Sequence, residues 1–186
     1  MKILFLALML LLTGCGPGED GMERAMDLRS RVLEAEECSF RAKITADYGS
    51  TLQQFTLDCK GDSQGDLRFT VAEPETIAGI TGKISGDGGK LVFDDTVLAF
   101  GLLTDRQLSP AAAPWICFRT LREGRLLTAS EEDGLLHVRA DDTYEEDALQ
   151  GDFWLDGENL PVRAEFLYRN RRVLCLEISG FTLETP

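Results

Sequence analysis

Two runs, Ser39-Phe40-Arg41-Ala42-Lys43-Ile44-Thr45 and Gln54-Phe55-Thr56-Leu57-Asp58-Cys59, alternate apolar with polar residues. A period of two belongs to a half-buried β-strand. Between them stands Asp47-Tyr48-Gly49-Ser50, a tight-turn sequence. The segment therefore predicts an antiparallel hairpin. With Tyr48-Gly49 as a two-residue loop, Phe40 faces Leu57, Ala42 faces Phe55 and Cys38 faces Cys59. The flanking pair Asp47 and Ser50 is then hydrogen-bonded. Each even-numbered position of the first strand falls in a non-hydrogen-bonded pair, where side chains approach most closely. That geometry suits a Cys38–Cys59 disulfide. Two buried free thiols, packing as small apolar groups, are the other reading.

Downstream the strand pattern continues. Asp66–Val71 reads as a strand that Pro74 ends, and Ile77–Ser85 as the next. Gly86-Asp87-Gly88-Gly89 turns the chain. Leu91–Phe93 and Val97–Phe100 then flank a second turn at Asp94-Asp95. The glycine cluster is no phosphate loop, because Gly89-Lys90 is followed by Leu91 and no helix pattern follows. The stretch Ser109–Pro114 interrupts the strands. Ser109 can cap a helix and Pro110 suits a first turn. Pro114 places the start of the helix proper, on which Trp115, Phe118 and Leu121 share a face. This short apolar helix is either plain core or a lid over an apolar cavity.

The chain closes with strands at Arg125–Ser130, Leu135–Asp141, Gly151–Asp156, Leu160–Tyr168 and Arg172–Phe181, with turn chemistry at Asp133-Gly134 and Asp156-Gly157. A three-residue loop at Arg169–Arg171 sets Phe166 opposite Leu174 and Ala164 opposite Leu176, and points Cys175 to the other face. Pairing of Cys117 with Cys175 follows only by elimination. The total is ten or eleven strands in hairpin succession, a strongly curved antiparallel sheet forming an open barrel whose mouth helices can plug.

Upstream, Met22–Glu37 is helical in pattern, with Ala25, Leu28, Val32 and Ala35 at three-four spacing. Acids crowd its end (Glu34, Glu36, Glu37), which the helix dipole disfavours. The chain opens with Lys2, an apolar run from Ile3 to Leu12, and Thr13-Gly14-Cys15. A basic start, a short apolar core and small residues before a cysteine make a lipoprotein export signal. The alternative, a transmembrane anchor, needs about 20 apolar residues, and Gly16, Pro17 and Gly18 forbid continuation of a helix. The expected organisation is a signal peptide over residues 1–14, a lipidated tether over 15–21 and one domain over 22–186. The location is extracytoplasmic, anchored to the cell membrane by a diacylated Cys15. The domain is expected to stand off the surface on that tether.

With 32 acidic and 19 basic residues, the formal charge is −13. Nucleic-acid phosphates demand Lys and Arg, so such a chain is a poor candidate for that partner. It is equally unsuited to lie flat on an anionic membrane. Five cysteines are present, and lipidation of Cys15 leaves Cys38, Cys59, Cys117 and Cys175 as disulfide candidates for an oxidising compartment.

Catalytic signatures are sparse. The single histidine, His137, lies between Leu136 and Val138 on a strand, a structural setting. No Gly-x-Ser-x-Gly elbow occurs and no cysteine–histidine cluster has metal spacing. Asp141-Asp142 and Glu145-Glu146-Asp147 lack the ligand order and central glycine of a calcium loop. No enzyme, metal or cofactor is expected.

The order of elements resembles the LolA/LolB-like lipoprotein-carrier fold. The resemblance rests on Phe40–Asp58, Asp66-Leu67-Arg68-Phe69-Thr70-Val71-Ala72-Glu73-Pro74-Glu75, Gly88-Gly89-Lys90-Leu91-Val92-Phe93-Asp94, and Leu108-Ser109-Pro110 with Ala113-Pro114. It also looks like the Firmicutes branch that includes the germination lipoprotein GerS. The resemblance implies an eleven-stranded unclosed barrel with a helical lid. It further implies a non-enzymatic module holding an apolar ligand, a lipid or lipoprotein acyl chains. The cavity would be lined by Phe40, Ile44, Phe55, Leu57, Phe69, Trp115 and Phe118. The GerS-like branch implies instead a protein partner or scaffold for a cell-envelope enzyme of spore cortex or cell wall. Cys15 departs from the soluble carriers, since a protein that is itself anchored does not shuttle through water.

Intact mass of membrane-extracted protein is expected to show cleavage before Cys15 plus a diacylglyceryl group. A mature chain retaining residues 1–14 refutes the signal.

Overall fold

The computed structural model describes residues 17–47, 52–93, 96–100, 103–104, 107–145, 148–168 and 171–185. The signal, Cys15, the Tyr48-Gly49 and Asp94-Asp95 turns and part of the acidic loop lie outside them. Helix α1 spans Pro17–Glu34. Strands follow at β1 (Glu37–Asp47), β2 (Leu52–Asp62), β3 (Leu67–Glu73), β4 (Thr81–Ser85), β5 (Gly88–Phe93) and β6 (Thr96–Phe100), then a short pair, β7 (Leu103–Thr104) and β8 (Gln107–Leu108). Helix α2 (Ala113–Glu123) leads into β9 (Arg125–Glu132), β10 (Leu135–Asp141), β11 (Gln150–Leu155), β12 (Pro161–Tyr168) and β13 (Arg171–Glu184). Eleven strands form one antiparallel sheet in the order β6-β5-β4-β3-β2-β1-β13-β12-β11-β10-β9. The last strand returns beside the first, and β6 and β9 are left as unjoined edges. No described helix is long and apolar enough to cross a membrane.

The period of two explains the sheet. Even-numbered residues of β1 (Cys38 to Ala46) are buried, and their odd neighbours carry the polar face. The β1–β2 register, however, pairs Phe40 with Cys59, Ala42 with Leu57 and Cys38 with Gly61. This is two residues away from the expected register, because Asp47 pairs with Leu52 and four residues join the strands. A shift of two keeps every side chain on its face. It does move Cys38 and Cys59 from a direct pair to a diagonal one, about 7–8 Å apart and beyond ordinary disulfide reach. The thiols of Cys38, Cys59, Cys117 and Cys175 are free. At β12–β13, Phe166 pairs with Leu174 and Ala164 with Leu176, as the alternation predicts. There Tyr168 pairs with Arg171, and a bulge at Phe166–Leu167 supplies the offset expected from a longer loop.

Helix α1 starts five residues earlier than expected, at Pro17, so residues 17–21 of the expected tether are helical. Proline suits a first helical turn, where its missing N–H breaks no bond. The helix stops at Glu34, before Glu37. Glu36 N–H donates to the Glu184 carbonyl (2.8 Å), and Glu37 opens β1 opposite Glu184. Ala25, Leu28 and Val32 bury one stripe of α1.

Helix α2 is buried on nearly every side. Trp115, Ile116, Cys117, Phe118, Thr120, Leu121 and Arg122 are all covered, and Glu123 is exposed. Its aromatic centre is seated on glycine. A Cβ on Gly61 of β2 would stand 2.6 Å from the Phe118 ring. Gly82 of β4 makes the same room for Phe69, where a Cβ would stand 2.3 Å from the ring. A strand glycine normally weakens a sheet, and here it marks a close approach.

Gly61→Ala is expected to destabilise the fold by about 1–3 kcal/mol through overpacking, lowering the urea midpoint. Adding Phe118→Leu should recover part of the loss. An unchanged midpoint in Gly61→Ala would mean that Phe118 does not sit on β2.

Candidate functional site

The inner face of the sheet is the first place to seek a ligand site. Phe40, Ile44, Leu57, Phe69, Trp115 and Phe118 are buried in one packed cluster, with Phe55 partly buried against it. Phe40 stacks on Phe181 with ring centroids 5.6 Å apart. Between α1, α2 and β9–β11 a cavity remains, lined by Leu28, Leu121, Val138 and Phe153 among others, of about 10 Å³. That is about the space of one water, against roughly 300–1,000 Å³ for a small-molecule pocket. The residues expected as cavity walls belong instead to one packed cluster that includes Trp115 and Phe118 of α2.

Polar bonds hold α2 at both ends. Trp115 Nε1–H donates to the Gly65 carbonyl (3.0 Å) in the β2–β3 turn. Arg122 donates to the Ser63 carbonyl (2.9 Å) in the same turn and, at 3.5 Å, to the Val32 carbonyl on α1. Arg29 of α1 donates to the carbonyls of Leu121 (3.0 Å) and Gly124 (2.6 Å). It thereby caps the C-terminal end of α2, where carbonyls are orphaned and the dipole favours a cation. Burial lowers the Arg29 pKa from its usual value, and the guanidinium stays charged. Nothing in the sequence pattern signals Arg29 or Arg122, since both sit at ordinary polar positions.

Cys38, Cys59 and Cys117 share the core. Burial is the main cause that raises all three thiols, Cys38 to about 12 and Cys59 and Cys117 well above the usual range. Their mutual proximity adds to it: Cys117 and Cys38 both raise Cys59. Such thiols are inert packing groups. Cys175 lies on the outer face of β13 beside Arg163 and Glu165, and burial raises it too. Cys117 is inside the sheet and Cys175 outside, so the pairing by elimination fails.

His137 stands on the outer face. Its Nε2 is 2.8 Å from Asp152 Oδ1, its Nδ1 is 3.3 Å from Glu132 Oε2, and its ring stacks on Trp154 at 4.9 Å. Arg139 also bonds Asp152 (2.9 Å), and Arg163 lies 4.6 Å over the Trp154 ring. Two carboxylates and an aromatic plane fix the imidazole in a surface ion network. The acidic loop is likewise structural where described. Asp141 pairs with Arg125 at 2.5 Å, and Asp142 accepts the Leu149 N–H at 2.7 Å. Among the described residues no three His, Cys, Asp or Glu side chains gather as a metal site.

A more open feature, which the alternation could not reveal, lies where β1 meets β13. The ladder shifts between Ser39 and Arg41, and Gly180 adopts φ +61°. Beside this irregularity opens a groove of about 470 Å³, bordered by Arg41, Asp58, Lys60, Thr70 and Ser179, with Phe40 and Cys59 in its lining, so one of the expected cavity residues, Phe40, borders it.

No family model matches the chain, and no curated protein matches it. Solved structures of similar fold are found. One is a domain described as an outer membrane lipoprotein-sorting protein from Vibrio parahaemolyticus, with 11% identity, 90% of this chain and 93% of that one covered, and a TM-score of 0.49. Another is a LolA superfamily protein from Nitrosomonas europaea, with 10% identity, 87% and 94% covered, and a TM-score of 0.47. A third is the lipoprotein LppX of Mycobacterium tuberculosis, with 13% identity, 87% and 93% covered, and a TM-score of 0.41. At these identities the likeness concerns the fold. The class defined by fold and site is an unclosed eleven-stranded antiparallel sheet with one helix across it and one packed inside it.

In the unfolded chain the three core thiols ionise near pH 8.5, and in the fold they remain protonated to higher pH. Their folded pKa values lie above the unfolded ones, so this stabilisation is complete below about pH 8.5 and is lost as pH rises towards 12. Under reducing conditions the unfolding free energy should fall above pH 9 by up to about 1.4 kcal/mol per pH unit per thiol. Cys38→Ala should flatten that slope by one thiol's share. Identical slopes in both proteins would refute the burial of Cys38.

Proposed function

We propose that the protein is a membrane-tethered, non-enzymatic module of the cell envelope that acts by holding a protein partner on its outer surface. The observation that carries this reading is the filled interior, with Phe118 of α2 seated on Gly61 where an apolar ligand would lie. The tether is a diacylated Cys15, for which two acyl chains suffice as a stable anchor. Only Gly16 then separates the lipidated residue from α1, which keeps the domain near the leaflet. The resemblance to the germination-lipoprotein branch makes a cell-wall enzyme the class of partner.

A second reading, binding of a lipid or acyl chain inside the sheet, is favoured by one observation. The Nε of Arg122 is buried without a hydrogen-bond partner, so the anchor of α2 is incomplete. Withdrawal of α2 would uncover the apolar cluster as a cavity. It would also break the Trp115–Gly65, Arg122–Ser63 and Arg29–Gly124 bonds.

Native mass spectrometry of the protein extracted from its host separates the two. The partner-module reading expects the mass of the lipidated chain with no further lipid bound. A stoichiometric co-purifying lipid, lost in a variant with a bulkier interior such as Ala42→Leu, would overturn it in favour of the second reading.

A further inference from the structure

Four of the 19 Lys and Arg residues stand in a single rank across the outer face of the sheet. Lys60 of β2 pairs with Arg68 of β3, Arg68 with Lys83 of β4, and Lys83 with Lys90 of β5. All four residues are exposed. Neighbouring strands are about 4.8 Å apart, so the rank runs for about 14 Å. Like charges placed directly opposite one another destabilise a sheet. A chain of net charge −13 has acids to spare for breaking up such a row. Two members have partners, Lys60 with Glu37 at 2.5 Å and Lys83 with Asp66 at 2.6 Å. Arg68 and Lys90 form no ion pair among the described residues, although Arg68 stands near enough to Glu37 to help Lys60 hold that carboxyl below its usual range. Protection of the open edge does not account for the row. A guarding charge belongs on the edge strand itself, and β6 carries none over Thr96–Phe100.

The next rank on the same face has a different character. It begins at Asp58 of β2, which Arg41 neutralises at 2.6 Å and which pairs with Thr70; Thr70 pairs with Thr81, Thr81 with Val92, and Val92 with Val97. Val92 and Val97 are 41% and 60% exposed. A row of cations thus runs beside a shelf of exposed methyl groups and ends at an uncharged edge strand. The tethered end of the chain lies elsewhere. Helix α1 runs 18 residues from Pro17, about 27 Å, before the chain enters β1, where Ser39 pairs with Lys60. Near the start of α1, Gly21 lies against Leu136 and Ala129, and Arg24 is already paired to Glu131. A lipid headgroup surface or a phosphate polymer would use the cations and leave the methyl shelf unpaired.

We propose that the rank Lys60–Arg68–Lys83–Lys90, with the Thr70–Val97 shelf beside it, docks an extended acidic segment of a protein partner that carries apolar side chains among its carboxylates. This inference rests on the partner-module reading and names the chemistry of the partner. Same-side residues of an extended peptide recur about every 6.7 Å, so three successive carboxylates span the rank while the alternate side chains meet the shelf or the solvent.

The test uses the lipidated full-length mature protein in phosphatidylcholine vesicles and a fluorescein-labelled dodecapeptide of alternating Glu and Val, read by anisotropy. Binding is expected at low salt and should weaken as salt screens the exposed charges. The Gln–Val version of the peptide should not bind. Arg68→Gln with Lys90→Gln should weaken binding at least tenfold, while Tm stays unchanged or rises by up to about 3 °C as the like-charge row is broken. Absence of binding, or binding that the double variant leaves intact, overturns the proposal. So does shielding of Lys60, Lys83 and Lys90 from acylation by polyphosphate or phosphatidylglycerol vesicles where the acidic peptide gives none. Failure here leaves the partner-module reading standing, whereas a stoichiometric lipid in the native protein overturns that reading and leaves the peptide site measurable.

Discussion

The contact between the Phe118 ring and the bare backbone of Gly61 governs the rest of the molecule. A sheet of eleven strands that does not close has an apolar concave face, and that face must be covered. Here the cover comes from inside. Helix α2 is buried almost all round and lies against α1 as well as the strands. Its neighbours act as clamps: Trp115 and Arg122 reach the β2–β3 turn, and Arg29 caps its last carbonyls. Any side chain at position 61 would overlap the ring, so the ring or the strand would have to shift. The absence of a Cβ at one strand position is therefore what lets α2 sit this close to β2.

The alternation in Phe40–Cys59 was enough to read the hairpin, its buried face and the strands that follow, because a strand's period of two survives a register error of two. What it could not read was the length of the turn. Asp47-Tyr48-Gly49-Ser50 resembles a two-residue loop, and the pairing of Asp47 with Leu52 shows a four-residue connection. That difference is invisible to burial and decisive for cysteines, since it separates Cys38 from Cys59 along the diagonal. At β12–β13 the core register was legible for a different reason from the one assumed: a bulge restored the offset that a shorter turn removed. The filled interior was not legible. Gly61 and Gly82 read as weak points in strands, and only the partner rings, distant in sequence, explain them.

Charge is distributed by face. The inner face holds Arg29 and Arg122, each satisfied largely by carbonyls, which suits guanidinium because it offers donors in several directions. On the outer face most ions pair locally, as in Arg41 with Asp58 at 2.6 Å and Arg139 with Asp152 at 2.9 Å. Exposed pairs of this kind add little to stability. They keep the convex side hydrated and fix the stacked rings of His137 and Trp154 in one orientation. In the lateral row of cations on β2–β5, Lys60 and Lys83 follow this pattern through Glu37 and Asp66, and Arg68 and Lys90 form no ion pair among the described residues.

The two open edges differ in the same sense. Edge β9 is flanked by α1, with Gly21 of that helix within 3.3 Å of Ala129 for an added Cβ and Arg24 reaching Glu131. A helix laid along a sheet border covers its unpaired groups and blocks further strands. Edge β6 has exposed Val97 and Leu98, no charged residue and no described helix over it. In a protein whose interior is closed, chemistry available to other molecules has to be on the outside. The β2–β6 half of the sheet concentrates it: two cations with no ion pair among the described residues, and the exposed methyl groups beside them. The β9–β13 half, with its ion network and its helix-covered edge, is by the same measures finished.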